Sequence, residues 1–345
     1  MHLPRKIEDL AQLPGERFEF FRTELQLRER REAPHLVHRE GGHEGQNSTM
    51  PVRPSAVAGT WYPGSPGALA REVDAYVTAA DVPSGGRIQA LFAPHAGLMF
   101  SGPVGAYSYK AAAQGQYDVA FVVGPSHFVG FAGVSVWPDG EFESPLGPAL
   151  VDAAAAADLL SHPVAHVGLQ AHGREHSIEM QLPFLRRLLP EVPIVPALMG
   201  LQQKETIEAL AEALAGAARG RRVLLVASTD LSHYFDAKTA AVLDGRVQEC
   251  VRANDPDALT ALFEQYPEHE RGRYVACGGG PAIAVMKAAI TLGAAQGRVL
   301  KYAHSGEISG DYDGVVGYLA AAFGQFDSPG STHHRDTEIH RGTVG

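Results

Sequence analysis

Val223-Leu-Leu-Val-Ala227, running into Ser228-Thr-Asp230-Leu-Ser-His233, is the stretch that decides the fold class. Five apolar residues in a row suit a strand covered on both faces, because a strand with one wet face would alternate apolar and polar. Apolar runs of the same kind recur at 88–92, 119–123, 133–137, 194–198, 299–302 and 315–320. Helical patterns fall between or beside them, at 67–80, 103–113, 151–160, 177–189, 204–218, 237–253 and 280–292. In the first of these, Leu69, Val73, Tyr76 and Val77 share one face, as a core-facing amphipathic helix requires. Strands alternating with helices of this length predict an α/β domain with a mixed, largely parallel central sheet.

Outside this body the texture changes. Residues 1–49 are charge-dense and end in a polar run from Gly41 to Thr49, so they read as a poorly ordered extension. Leu10, Leu13, Phe18, Phe21 and Leu25 are spaced for one amphipathic helix within it. The patterned sequence starts straight after Met50, and residues 50–326 read as a single domain. Residues 327–345, rich in Ser, Gly and His, read as a disordered tail.

The whole chain of 345 residues has 45% hydrophobic and 20% charged residues, the proportions of a soluble globular protein. A net charge of −10 argues against a nucleic-acid surface. Two cysteines cannot form a disulfide framework and suit a reducing compartment. No run approaches the roughly 20 apolar residues of a membrane helix. The first residues, with Glu8 and Asp9, lack the apolar core of a secretory signal. The expected location is the cytoplasm, with neither nucleic acid nor membrane as partner.

Sixteen histidines invite a search for a site, but seven lie in the two tails, so the nine in the body matter. Three of those nine share a position. His95 follows the run 88–92 in Ala93-Pro-His95-Ala-Gly97, and His127 follows 119–123 in Gly124-Pro-Ser126-His127. His233 follows Val223–Ala227 in the same way. Each lies beyond the C-terminal end of an expected strand, the edge at which loops of an open α/β sheet converge on a ligand crevice. One loop histidine is commonly a local hydrogen bonder; three at one edge point to a first-row metal.

Cys277, in Ala276-Cys277-Gly-Gly-Gly-Pro281 just before a helix, is the natural further ligand, since a helix N-terminus favours thiolate. A buried apolar cysteine is the alternative, and Cys250, on a helical face with Val247 and Val251, is expected to be one. In Glu175-His176-Ser177-Ile-Glu179-Met-Gln181, Ser177 is placed to cap a helix, while Glu175 and His176 either support a ligand histidine or lie on the surface. Trp61 and Tyr62 either line the pocket or anchor an edge of the core, and Ser126, together with His304 and Asp313 near another strand end, is a further pocket candidate.

Taken in order, Ala56-Val-Ala-Gly59-Thr-Trp61-Tyr62, Pro94-His95-Ala-Gly97, Gly124-Pro-Ser-His127, Glu175-His176-Ser-Ile-Glu179, Ser228-Thr-Asp230-Leu-Ser-His233, Cys277-Gly and Gly310-Asp-Tyr-Asp313 resemble the Memo family. Its bacterial and archaeal members are called AmmeMemoRadiSam system protein B. The resemblance spans roughly residues 52–323. It implies a three-layer α/β/α fold similar to that of the class III, LigB-type, extradiol dioxygenases. In those enzymes two histidines and a glutamate hold Fe(II) and a further histidine acts as acid and base. The resemblance therefore implies His95 and His127 as metal ligands, Cys277 in the place of the glutamate, and His233 as the acid/base group, oriented by Asp230. Fe(II) is the expected metal, with Cu(I) or Zn(II) also suiting a His₂Cys set. An oxidoreductase or dioxygenase-like role follows as an expectation, against the alternative of an adaptor that binds metal or peptide without turnover. The family name implies association with AMMECR1-type and radical SAM proteins.

Overall fold

The computed structural model describes residues 37–39, 50–83 and 85–326. Its strands are β1 (Val37–Arg39), β2 (Met50–Arg53), β3 (Arg87–Ala93), β4 (Val119–Pro125), β5 (Val134–Val136), β6 (Glu141–Phe142), β7 (Ala149–Leu150), β8 (Ala165–Val167), β9 (Ile194–Met199), β10 (Val223–Ser228), β11 (His233–Phe235), β12 (Gln296–His304) and β13 (Val315–Gln325). The longer helices are α1 (Pro66–Ala79), α2 (Leu98–Ala112), α3 (Ala153–Leu160), α4 (Leu182–Leu188), α5 (Lys204–Ala217), α6 (Ala237–Ala253), α7 (Pro256–Glu264), α8 (Glu268–Tyr274) and α9 (Gly279–Thr291).

The main sheet runs β11-β13-β3-β10-β4-β9-β5-β8, with β12 also paired to β13. Its centre, β3-β10-β4-β9, is parallel, and β13 and β5 join that centre antiparallel. The expected mixed, largely parallel α/β sheet is therefore the architecture observed. Alternation along each strand divides the core in two. Val119, Phe121 and Val123 of β4 face one hydrophobic cluster, together with residues of α3, α5, α7 and α9. Ala120 and Val122 face the other, against α1, α2 and α4. With both faces covered, every residue of β4, β9 and β10 is buried, which is why those runs carry no polar alternation.

A small second sheet, β1-β2-β6-β7, has a different role. It holds Arg53, a buried cation whose guanidinium meets Glu179 and the Glu175 carbonyl, and whose Nε donates to the His172 carbonyl at 3.0 Å. The 53–62 segment is thereby bound to the 172–179 loop. Val37–Arg39, inside the stretch read as an extension, pairs with β2. The amphipathic helix expected over Leu10 to Leu25 and the tail 327–345 lie outside the described residues.

Two local expectations are corrected. The helix expected from Pro103 starts at Leu98 and has Pro103 in its interior. Burial of Leu98, Phe100 and Val104 outweighs the hydrogen bond that proline removes. The helix expected over 177–189 is a 3₁₀ turn, Glu179–Gln181, followed by α4. Ser177 does not cap it, because its hydroxyl donates to the Pro125 carbonyl at 3.0 Å. Among the described residues no single helix is long and apolar enough to cross a membrane.

Candidate metal centre

Parallel β3, β10 and β4 end side by side at one edge, and the next few residues of each supply the site. His95 lies two residues past β3, His127 two past β4, and Asp230 two past β10. Cys277 enters from the turn before α9. Two mutual backbone contacts fix the thiol between the histidine loops: the Asp230 amide donates to Sγ at 3.3 Å, and the Cys277 amide donates to the Asp230 carbonyl at 3.2 Å. Flanking glycines make the fit possible, since a Cβ on Gly278 would stand 2.5 Å from the Ser228 carbonyl oxygen.

One nitrogen, one nitrogen and one sulfur of His95, His127 and Cys277 lie within 4.8 Å of one another. His95 Nε2 is 3.2 Å from Cys277 Sγ. Ligands about 2.0 and 2.3 Å from a tetrahedral ion would stand about 3.5 Å apart, so a metal fits with little adjustment.

The remaining imidazole nitrogens are committed elsewhere. The Ser228 hydroxyl donates to the Ser177 carbonyl at 2.6 Å and accepts from Gln181 Nε2 at 2.8 Å. Its only hydrogen is used, so His95 Nδ1, 2.9 Å away, must be the donor, which leaves Nε2 to face Cys277. Tyr109 holds Gln181 in turn, by a hydrogen bond of 3.0 Å to Oε1. His127 Nδ1 meets Glu175 Oε1 at 2.9 Å, and Glu175 also accepts from the amides of His127, at 2.6 Å, and Ser177, at 2.8 Å. Both Nε2 atoms are thus presented to one point with their tautomers fixed, the support that metal-ligating histidines require.

Electrostatics agree with the donor set. Burial disfavours protonated His127, yet the thiolate of Cys277 and the carboxylate of Glu175 prevail and raise its pKa to about 10. Burial likewise opposes the Cys277 thiolate, but His95 and His127 bring the thiol down to about 6. A partly buried thiolate and a buried carboxylate around two imidazoles favour a cation at their centre, which a metal ion can supply in place of a proton.

His176 is buried and central. Its ring stacks on His127 at 4.5 Å, stands edge-on to His95 at 5.5 Å and meets Trp61 at 4.4 Å. Burial, then the charge of His127, keeps it neutral well below its ordinary pKa. Glu175 is buried as well, so neither residue is surface. The two readings of the Trp61-Tyr62 pair are divided between them: Trp61 faces the site, while Tyr62 is core, with its hydroxyl on Glu179 at 2.7 Å.

His233 sits on β11 with Nδ1 shielded and unpartnered, and burial lowers its pKa. Asp230 exerts charge on it, but the Asp230 carboxylate is hydrogen-bonded to the amide of His95, at 2.8 Å. Ser126 turns away, its hydroxyl donating to the Val129 carbonyl at 2.8 Å. His304 lines a separate cavity of about 250 Å³ with Tyr76, Phe100 and Tyr107. Asp313 is exposed in a turn, its amide held by Asp311 at 2.9 Å. Cys250 is core, as expected. Sequence reasoning missed Ser228, Gln181, Tyr109 and Arg53, polar residues that support the site from behind the strand ends and carry no ligand spacing of their own.

Residues 53–322 match a family model described as Memo-like protein. A MEMO1 family protein of Methanopyrus kandleri is 35% identical over 284 residues, covering 79% of this chain and 98% of that protein. One from Nitrosopumilus maritimus is 31% identical, covering 79% and 99%. One from Thermotoga sp. RQ2 is 38% identical, covering 67% and 81%. Among solved structures, an uncharacterized protein from Escherichia coli K12 superposes with a TM-score of 0.48 at 17% identity, covering 69% of this chain and all of that one. A family match that spans the sheet, both histidine loops and Cys277 makes this chain a member of the Memo family.

Proposed function

We propose that the protein is a cytosolic non-haem iron protein with a redox or dioxygen-dependent role toward a small molecule. The observation that carries this reading is the convergence of two tautomer-fixed imidazoles and one thiol, with His95 Nε2 3.2 Å from Cys277 Sγ. Fe(II), held by His95, His127 and Cys277, would supply Lewis acidity and one-electron chemistry. The residues of the chain do the rest. Ser228 and Glu175 hold the ligand rings, and Trp61 and His176 wall the site. His233, kept neutral by burial, would accept or return a proton of the bound molecule. A thiolate in place of a carboxylate gives a softer, more electron-rich centre, which also leaves Cu(I) and Zn(II) as occupants.

Metal analysis after anaerobic, tag-free purification tests this. Near-stoichiometric iron is expected, lost in His95→Ala and in Cys277→Ser and kept in His233→Ala. Protein that takes up neither Fe(II) nor Cu(I) at micromolar concentration would sink the reading.

A second reading has one observation in its favour. Phe128, Val129 and Leu201 are exposed on loops beyond β4 and β9, an apolar rim at the same sheet edge. On this reading the centre binds metal or peptide without turnover, and AMMECR1-type and radical SAM proteins are the partners. Partner capture that survives His233→Ala, with no oxygen-dependent turnover in the wild type, would favour it.

A further inference from the structure

Strand β12 slips by one residue against β13: Val299 stands opposite Ala321 and Lys301 opposite Ala320, so Leu300 is an extra residue. A bulge of this kind re-aims the side chains that follow it. Val299 packs on the cluster shared with α5 and α9, and strict alternation would send Lys301 the same way. The slip gives that face to Tyr302 instead, whose hydroxyl meets Asp244 at 2.7 Å. Lys301 turns with Ala303 to the α2 face, against Phe100 and Val104, and has no ion pair among the described residues. There it borders the cavity of about 250 Å³ that His304 lines, whose apolar wall includes Tyr76 of α1 and Phe100 and Tyr107 of α2. Glu307, on the one-turn helix Gly306–Ser309, brings a carboxylate to the same space. One of its oxygens accepts from the His304 amide at 3.2 Å, and a carboxylate has further lone pairs to offer. Lys301 and Glu307 are not paired with each other, and none of His95, His127 and Cys277 borders the cavity.

We propose that this cavity is a second ligand site, separate from the metal centre, for a small α-amino acid with an aliphatic side chain. The carboxylate of the ligand meets Lys301, its ammonium meets Glu307, and its side chain lies against the apolar wall. One cation and one anion on the same wall match a zwitterion, whereas a simple acid or a simple amine would leave one of the two without a partner. Size agrees, since the cavity lies just under the range of about 300–1,000 Å³ that takes drug-sized molecules, and leucine is smaller than those. The bulge explains how a lysine comes to stand over an apolar patch without an ion pair, a placement that packing alone does not call for.

Calorimetric titration of the full-length protein with L-leucine tests this, with melting temperature followed in every variant. One molecule is expected to bind per chain. The analogues 4-methylpentanoate and 3-methylbutylamine, which each keep one of the two charges, should bind at least about tenfold more weakly. Lys301→Met and Glu307→Gln should each cost about tenfold or more in affinity for leucine, at an unchanged melting temperature because neither side chain is buried. Protein stripped of metal by a chelator should bind leucine as the loaded protein does. No binding by the wild type at about 1 mM leucine, or variants that bind as well as the wild type, would overturn the proposal. So would 4-methylpentanoate that matches leucine, which makes the site one for simple carboxylates, or binding that disappears with the metal, which puts the ligand at the strand-end centre. The analogue series on wild-type protein decides the matter even where a variant melts lower.

Discussion

His95 and His127 each present one nitrogen to the centre because the other is bound to a residue that has no alternative. For His95 that residue is Ser228, itself fixed by Gln181 and Ser177; for His127 it is Glu175. Ser228→Ala and Glu175→Gln are each expected to weaken metal binding about 10–100-fold, measured by competition with a chelator, although neither residue belongs to the His95, His127 and Cys277 set. Glu175 also couples the site to pH. Burial would raise its pKa, but the hydrogen bond and the charge of His127 outweigh that and hold it well below the carboxylate range. A depressed folded-state pKa stabilises the protein above the unfolded value, near pH 4.3, and that stabilisation is lost as pH falls toward the folded value. In urea unfolding of metal-free protein, the wild type should therefore lose stability below about pH 4.3 more steeply than Glu175→Gln. The ligands were legible in the sequence because each follows an apolar run at a strand end. Ser228 and Gln181 were not, since a serine and a glutamine gain meaning only when folding brings residues 177, 181 and 228 together behind residue 95.

Strands β3, β4, β9 and β10 were readable because burial on both faces demands uninterrupted apolar runs, and their ends lie within one or two residues of the expected ones. The two-residue strands β6 and β7 are too short for any period to show. The start of α2 was hidden because Pro103 reads as a first-turn residue, whereas tertiary burial extends the helix five residues ahead of it. Arg53, in strand β2, shows what the small sheet contributes. Its guanidinium is 1% exposed and joins Glu179, which in turn accepts from the amides of Ala56 and Val57, at 2.8 and 3.0 Å. Removing one partner leaves a buried charge uncompensated, so Arg53→Ala should destabilise by about 3–5 kcal/mol in denaturant unfolding. The same variant should loosen the metal site, because the Glu175 carbonyl loses its guanidinium donor.

For the molecule as a whole, a two-faced core places parallel strand ends at one edge, and chemistry collects there because the loops have nowhere else to converge. The tails and the site are separate matters: the family match stops at residues 53 and 322, so the histidines nearest the two ends lie outside it. If the centre forms only in the folded chain, metal must stabilise the whole fold. At 100 times its dissociation constant, bound metal should add about 2.7 kcal/mol to the unfolding free energy, and His95→Ala should show no such gain. The measurement that tests the account most directly is X-ray absorption at the iron edge of anaerobically loaded protein. The account predicts a sulfur neighbour beside nitrogen neighbours, with the sulfur absent in Cys277→Ser. A shell of nitrogen and oxygen alone in the wild type would contradict it.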